Sequence, residues 1–452
     1  MKTLIQNGVV MDPANGVRGS LNLLVEDGKV LACTQDAPQA DRIIDASGCV
    51  VCPGFIDIHM HEDPLDPDGR IAPCIFETML RMGVTTAVGG NCGLNICDPL
   101  RYLALADQQG IPVNLALFAG HEYFRNAAGA QDKYAPISLS QREHMLKGLR
   151  AALDGGCMGV SFGIRYVPGI DEAELDSCMA LCSDGRGLVS VHLRDDADHL
   201  FGAVDEVVRP ARKYGVSLQI SHIGSMGGFG QMQRLLNQVD TLRSAGMNLA
   251  CDCYPYSAFS TRIGETTYDN GWLDRYRCGY DACQLTEGKY AGMRCTKEIF
   301  EELRRDDPEC ITVCHVMRAD EVELALRHPQ VMPASDGLLD QGRGHPRAAG
   351  TFPRYLRRHV LDAGLDLYEG VRKITADPAH RLGFPQKGSL HPGADADIVI
   401  FDPSSICDRA TFEQPALPPN GIRFVLVGGE LAAQDGRIVN AALGRSIRAK
   451  RS

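Results

Sequence analysis

The sequence predicts an α/β chain: a parallel eightfold barrel flanked by a small β domain that both chain ends build. Three observations predict it. Through the middle of the chain, short β-like runs alternate with helical patterns, the mark of a parallel sheet. The two ends carry turn-linked strand runs instead, with Asp27-Gly28 and Asp435-Gly436 as hairpin signals. Side chains suited to metal binding or proton transfer recur at the ends of the central runs.

Residues 1–52 form the N-terminal part of the small β domain. They read as TLIQNGVVMD, LNLLVEDGKVLAC and RIIDASGCVVCP. Residues 53–380 form the barrel. Its strand candidates are GFIDIHMH, GVTTAVGG, VNLALFAG, GCMGVSFG, LVSVHLRD, VSLQISHIG, NLACDCYPY, CITVCHV and QVMPASDG. Stretches such as REHMLKGLRAALDGG and MQRLLNQVDTLRSAG between them have helical periodicity. A segment at about 261–299, rich in Tyr, Gly and Arg, breaks the repeat and reads as an insertion near the active face. Residues 381–452 return to the β domain through GADADIVIFD and IRFVLVGGELAAQDGRIV.

Composition narrows the function. A 452-residue chain that is 44% hydrophobic buries a large core. A formal net charge of -11 argues against DNA, RNA or anionic lipid as a partner. The start, MKTLIQNGVV, does not read as a signal peptide, and no apolar stretch approaches a membrane span. Seventeen irregularly spaced cysteines do not resemble a small disulfide scaffold and read mostly as reduced core thiols of a cytoplasmic protein. The sequence leaves a homo-oligomer open.

The chemistry-bearing residues share one placement. In FIDIHMHED, His59 and His61 are two apart, so on a strand they face the same way. Cys92 follows TTAVGGN, His192 follows LVSV, His222 follows LQIS and Asp336 follows VMPAS. Each alone has an ordinary structural reading: a core thiol, a hydrogen-bonded histidine, a turn aspartate. Together they lie at the strand ends that form a barrel's catalytic face. Imidazole and thiolate suit zinc, and a carboxylate either joins them or carries protons.

Those stretches, with GVSFGIRYVPG, DCYPYSAFST, ASDG and HPRAAGTFPR, resemble the amidohydrolase superfamily and specifically its N-acyl-D-amino-acid deacylase (D-aminoacylase) family. The resemblance spans nearly the whole chain. It implies a metal-dependent (β/α)8 TIM-like barrel with a small β-sandwich domain from both chain ends. It also implies hydrolysis of the amide bond of N-acyl-D-amino acids, with a small N-acyl amino acid as the substrate partner. Carried over by motif, Cys92, His192 and His222 resemble a tight Zn2+ site. His59 and His61 resemble a second, weaker position, and Asp336 the catalytic carboxylate. Arg347, Tyr166, Tyr254 and Ser260 resemble substrate-binding residues. Lys133 and Lys147, the only lysines between Cys92 and His192, lack the strand-end setting of a bridging lysine, so Cys92 is expected as the metal-bound thiolate.

The chain departs from the family pattern in places. Gly224 stands in SHIG where the family has a lysine that holds the substrate carboxylate. Arg262 and Glu265 follow the YPYSAFST segment, so Arg262 is expected to supply the missing cation. Glu122 occupies a position commonly glycine. The alternatives are a cyclic amidase of hydantoinase or dihydropyrimidinase type, and a non-catalytic, metal-stabilised binding protein.

Overall fold

The computed structural model describes residues 1–450 apart from Arg186, Asn270 and the side chain of Asp184. Eight parallel strands form the barrel. They are Phe55–Asp57, Val84–Gly89, Asn114–Leu117 (continued by Ala119–Gly120), Gly159–Gly163, Leu188–His192, Ser217–Ile220, Leu249–Cys253 and Val331–Pro333. Seven are buried along their whole length, because a parallel sheet is covered on both faces. Alternate side chains divide between two cores. Ile56, Val88, Ala116, Ala250 and Met332 gather in one cluster. Phe55, Ala87, Leu115, Val160, Val189 and Leu218 face the other way and pack in the large core with the helices.

The barrel closes between its last and first strands. Met60 pairs in parallel with Gly337, the Asp336 amide donates to the His59 carbonyl at 2.8 Å, and the His61 amide donates to the Gly337 carbonyl at 3.1 Å. The closing seam thus sets two histidines beside an aspartate.

CITVCHV is a correction. Its core, Ile311–Cys314, is the central strand of a separate antiparallel sheet between Phe259–Arg262 and Cys283–Leu285. Cys251 to Cys253 pair directly with Val331 to Pro333, so the barrel skips this run. The helix Lys297–Asp306 precedes it, which imitates a helix–strand repeat in sequence. Only the partner strands distinguish the two, and periodicity carries no information about partners.

The chain ends build two further sheets. One has seven strands and joins Val9–Asp12, Val17–Ser20 and Val50–Pro53 to Ile398–Phe401, Ile422–Val427, Glu430–Gln434 and Arg437–Ile438. The other has four, from Lys2–Gln6, Asn22–Glu26, Lys29–Thr34 and Arg42–Asp45. Ile5, Leu23 and Val25 from one meet Val10, Val51 and Ile400 from the other in a shared core. Asp27 and Gly28 have φ of 49° and 78°, as a type I′ hairpin turn requires.

One buried polar cluster fixes the loop face above the third and fourth strands. Glu174, fully buried, meets His121 Nε2 at 2.9 Å and accepts from Arg125 Nε at 3.1 Å. Arg125 also donates to the carbonyls of Ala130 and Ala135, both at 2.6 Å. Glu174→Ala strands a buried guanidinium and should cost about 3–5 kcal/mol. Urea unfolding of the two proteins checks it.

Candidate metal and acid–base centre

At the C-terminal strand ends, Cys92 lies among three imidazoles. Its Sγ is 3.5 Å from His59 Nε2, 3.5 Å from His222 Nε2 and 3.8 Å from His192 Nδ1. Sulfur and nitrogen bound to one tetrahedral zinc at about 2.3 and 2.0–2.1 Å stand about 3.5 Å apart. The spacing in the protein matches. Two triads, His59–His61–Cys92 and Cys92–His192–His222, share the thiol, and a third joins His59 and His222 to Asp336. In each triad the donor atoms fall within 4.8 Å of one another. The residues therefore fit one or two metal ions. Lys133 pairs instead with Glu265 at 3.6 Å, and Lys147 is exposed on a helix.

The backbone is bent to aim these groups. Cys92, His222 and Asp336 have φ of 54°, 33° and 47°, a region L-residues enter at a cost. Strain of this kind persists where surroundings over-determine it, and here it sits at three of the six converging residues. Asp252 contacts two of these histidines at once. Its Oδ1 accepts from the His222 amide at 2.7 Å and lies 3.2 Å from His59 Nδ1, while Oδ2 accepts from Gln219. Asp57 accepts from the amides of His59 and Ser335 and so ties the first strand to the last. Burial pushes its carboxyl up to about 6 despite those bonds. Ser225 Oγ contacts His222 Nδ1 at 3.0 Å, which leaves Nε2 to face Cys92.

Charge follows from this packing. Burial opposes a Cys92 thiolate, yet His59 and hydrogen bonds from His192 and His222 hold it well below the ordinary thiol range. Asp336 is gripped from both sides. Oδ1 is 3.1 Å from His61 Nε2 and 3.4 Å from His59 Nε2, and Oδ2 is 2.8 Å from Arg347 Nη1. Burial favours the neutral acid, but Arg347 first, then His222 and His61, hold the carboxyl well below its usual range. Burial, with His222 nearby, drives His192 down to about 4, so its ring is neutral and ready to be a ligand.

Tyr166, Tyr254, Ser260 and Arg347 line a cavity with His192, His222 and Asp336. Tyr166 stands 4.6 Å from the His192 ring, and Arg347 Cζ lies 4.5 Å over Tyr254. Ser260 Oγ and Arg347 Nε are buried and lack a hydrogen-bond partner among the described residues. Arg262 is not brought to the cavity. It lies at the end of the accessory strand, 39% exposed, with Nε 2.9 Å from Glu309. A Cβ at Gly224 would meet Cys253 Sγ at 2.9 Å and Met317 Cε at 3.2 Å, so apolar groups fill the path of a longer side chain there. Glu122 does not line this cavity but another, with Leu94, Asn95 and Tyr123, and is pushed up to about 7 by burial and by Glu265.

Sequence reasoning missed Asp57, Asp252 and Asp196. Asp57 and Asp252 carry a visible signal, an acid inside an apolar strand run (FIDI and LACDC). Asp196 sits in HLRDDADHL and shows none.

A barrel with this donor set and a carboxylate beside it defines the class, a metal-dependent amidohydrolase. The amidohydrolase family profile matches residues 42–433. An N-acyl-D-glutamate deacylase of Alcaligenes xylosoxydans xylosoxydans is 32% identical over 94% of this chain and 92% of its own. A D-aminoacylase of the same organism is 30% identical over 98% and 97%. The crystal structure of an N-acyl-D-glutamate deacylase from Bordetella bronchiseptica, with zinc and a phosphonate mimic of the tetrahedral intermediate, is 31% identical. It superposes with a TM-score of 0.88 over 99% of each chain. The chain belongs to the amidohydrolase family, in its D-aminoacylase and N-acyl-D-amino-acid deacylase group.

Proposed function

We propose that this centre hydrolyses the amide bond of N-acyl-D-amino acids with Cys92, His192 and His222 as the firm metal ligands. His59 and His61 serve a second, weaker position, and Asp336 carries the proton. One observation supports the roles above the others. Asp336 is the carboxylate that faces the histidine set with one oxygen and a buried arginine with the other.

Zinc bound at such donors lowers the pKa of a water and polarises a carbonyl. Asp336 takes the proton of the attacking water on Oδ1, the oxygen turned to His59 and His61. It then gives that proton to the departing amine nitrogen, so the carboxylate is restored after each turnover. Arg347, with Nε unpartnered, offers the substrate carboxylate a charged anchor, and Tyr166, Tyr254 and Ser260 supply hydroxyls around it.

The test is a chiral panel of N-acyl amino acids with metal quantified in the same preparation. Free D-amino acid and a carboxylate should appear, and the L-enantiomers should be poor substrates. Turnover of hydantoin or dihydropyrimidine rings in preference to every linear amide would replace this reading with a cyclic amidase. Lys133 pairs with Glu265 and Lys147 is exposed on a helix, so neither stands as a bridging lysine, which favours the linear amide.

A further inference from the structure

The cavity's charges are nearly all spoken for, and the balance limits what it admits. Among the described residues, Arg347 is the one arginine or lysine that lines it. The same lining holds Met226, Phe259 and Tyr276, the uncharged Ser225, Thr261 and Thr267, and one further acid, Asp196. Asp196 is buried and takes three partners: Arg165 Nη2 at 3.2 Å, Arg275 Nε at 3.1 Å and the Tyr276 hydroxyl at 2.6 Å. Arg165 also reaches Asp195 at 3.4 Å. Two arginines thus meet two aspartates and balance them, and neither arginine lines the cavity, whereas Arg347 lines it and, though its Nη1 pairs with Asp336, keeps a buried Nε without a hydrogen-bond partner. Gly224 adds no cation, and its surroundings are the sulfur of Cys253 and the terminal methyl of Met317. Arg262 is turned to Glu309.

From this balance we infer that the substrate carries a single carboxylate: its amino-acid side chain and its acyl group are both uncharged. The inference rests on the deacylase reading above and narrows its substrate class to N-acyl derivatives of neutral D-amino acids. The substrate's α-carboxylate takes the one cation. A second carboxylate, on the side chain or on the acyl group, would lie in a buried wall of Met226, Phe259 and Tyr276, beside Asp196 and Asp336. An unpaired charge in such a place is expensive to desolvate. A neutral side chain of the same shape escapes that cost and gains from the apolar wall.

The decisive pair is N-acetyl-D-glutamine against N-acetyl-D-glutamate, which differ in charge and hardly in shape. For the metal-loaded enzyme, kcat/KM should favour glutamine by at least roughly 10²-fold. A matching rate or a higher one with glutamate overturns the inference and leaves the deacylase reading standing. No turnover of any N-acetyl-D-amino acid overturns both. Asp196→Asn supplies an independent arm. It keeps the side chain's size and releases one positive charge from Arg165 and Arg275, so the glutamate-to-glutamine ratio should rise at least about 10-fold. A ratio unmoved in a folded variant counts against the charge balance. The wild-type pair decides the question even where the variant fails to fold.

Discussion

Asp336→Asn should lower kcat by roughly 10²–10⁴-fold, the range for a lost general acid–base group, with zinc content nearly unchanged. The asparagine has the same size and removes the one property the mechanism needs, a carboxylate that cycles its proton. Its neighbours make the two readouts separable. Asp336 lies 3.1 and 3.4 Å from the rings of His61 and His59, but the Cys92–His192–His222 triad forms without it. Metal held by that triad should survive the change. A structural role would look different: the variant would lose zinc or melt early, and activity would fall with folded fraction. Active-site zinc titration and single-turnover rates on the same sample distinguish these outcomes. Near-normal turnover in the variant would remove Asp336 from the mechanism.

The convergence of the candidate ligands was legible because chemistry and periodicity agreed. His59 and His61 follow an apolar run, and the i, i+2 spacing predicted one shared direction. The structure shows both rings directed at Asp336, with centroids 5.8 Å apart. Cys92, His192 and His222 each follow a β-like run, and barrel geometry alone then brings strand ends together. What stayed hidden depends on contacts between distant segments. CITVCHV carried a convincing strand pattern and belongs to the accessory sheet, since pairing partners leave no mark on a single run. The positive φ values of Cys92, His222 and Asp336 were equally invisible, because none of them is glycine and long-range bonds impose the strain. Arg262 was expected to replace a missing cation from sequence proximity. Its position at the end of an edge strand, beside Glu309, turned it to solvent. Asp196 had no sequence signal because its partners, Arg165 and Arg275, come from two other segments.

Cys92→Ala should abolish tight zinc binding and take turnover down with it. Losing an outer partner of a metal ligand already weakens a site 10–100-fold, so deleting the sulfur itself should cost at least roughly 10²-fold in affinity. The thiol belongs to two of the three donor triads, and it is the one thiolate among their histidines. Its backbone offers a control that separates ligation from folding. With φ of 54°, Cys92 occupies a conformation that costs any L-residue about 1–2 kcal/mol, alanine included. Glycine adopts it freely. If the strain is held only to aim the sulfur, metal-free Cys92→Gly should be at least as stable as metal-free Cys92→Ala, by up to about 1 kcal/mol. Both variants should fail equally to retain zinc. Elemental analysis after dialysis against a weak chelator gives the metal content, and urea unfolding of the metal-free proteins gives the stability order. Tight zinc and intact activity in either variant would rule out the thiolate as a ligand. Loss of folding in both would instead make Cys92 a core residue whose sulfur fills space among the three histidines.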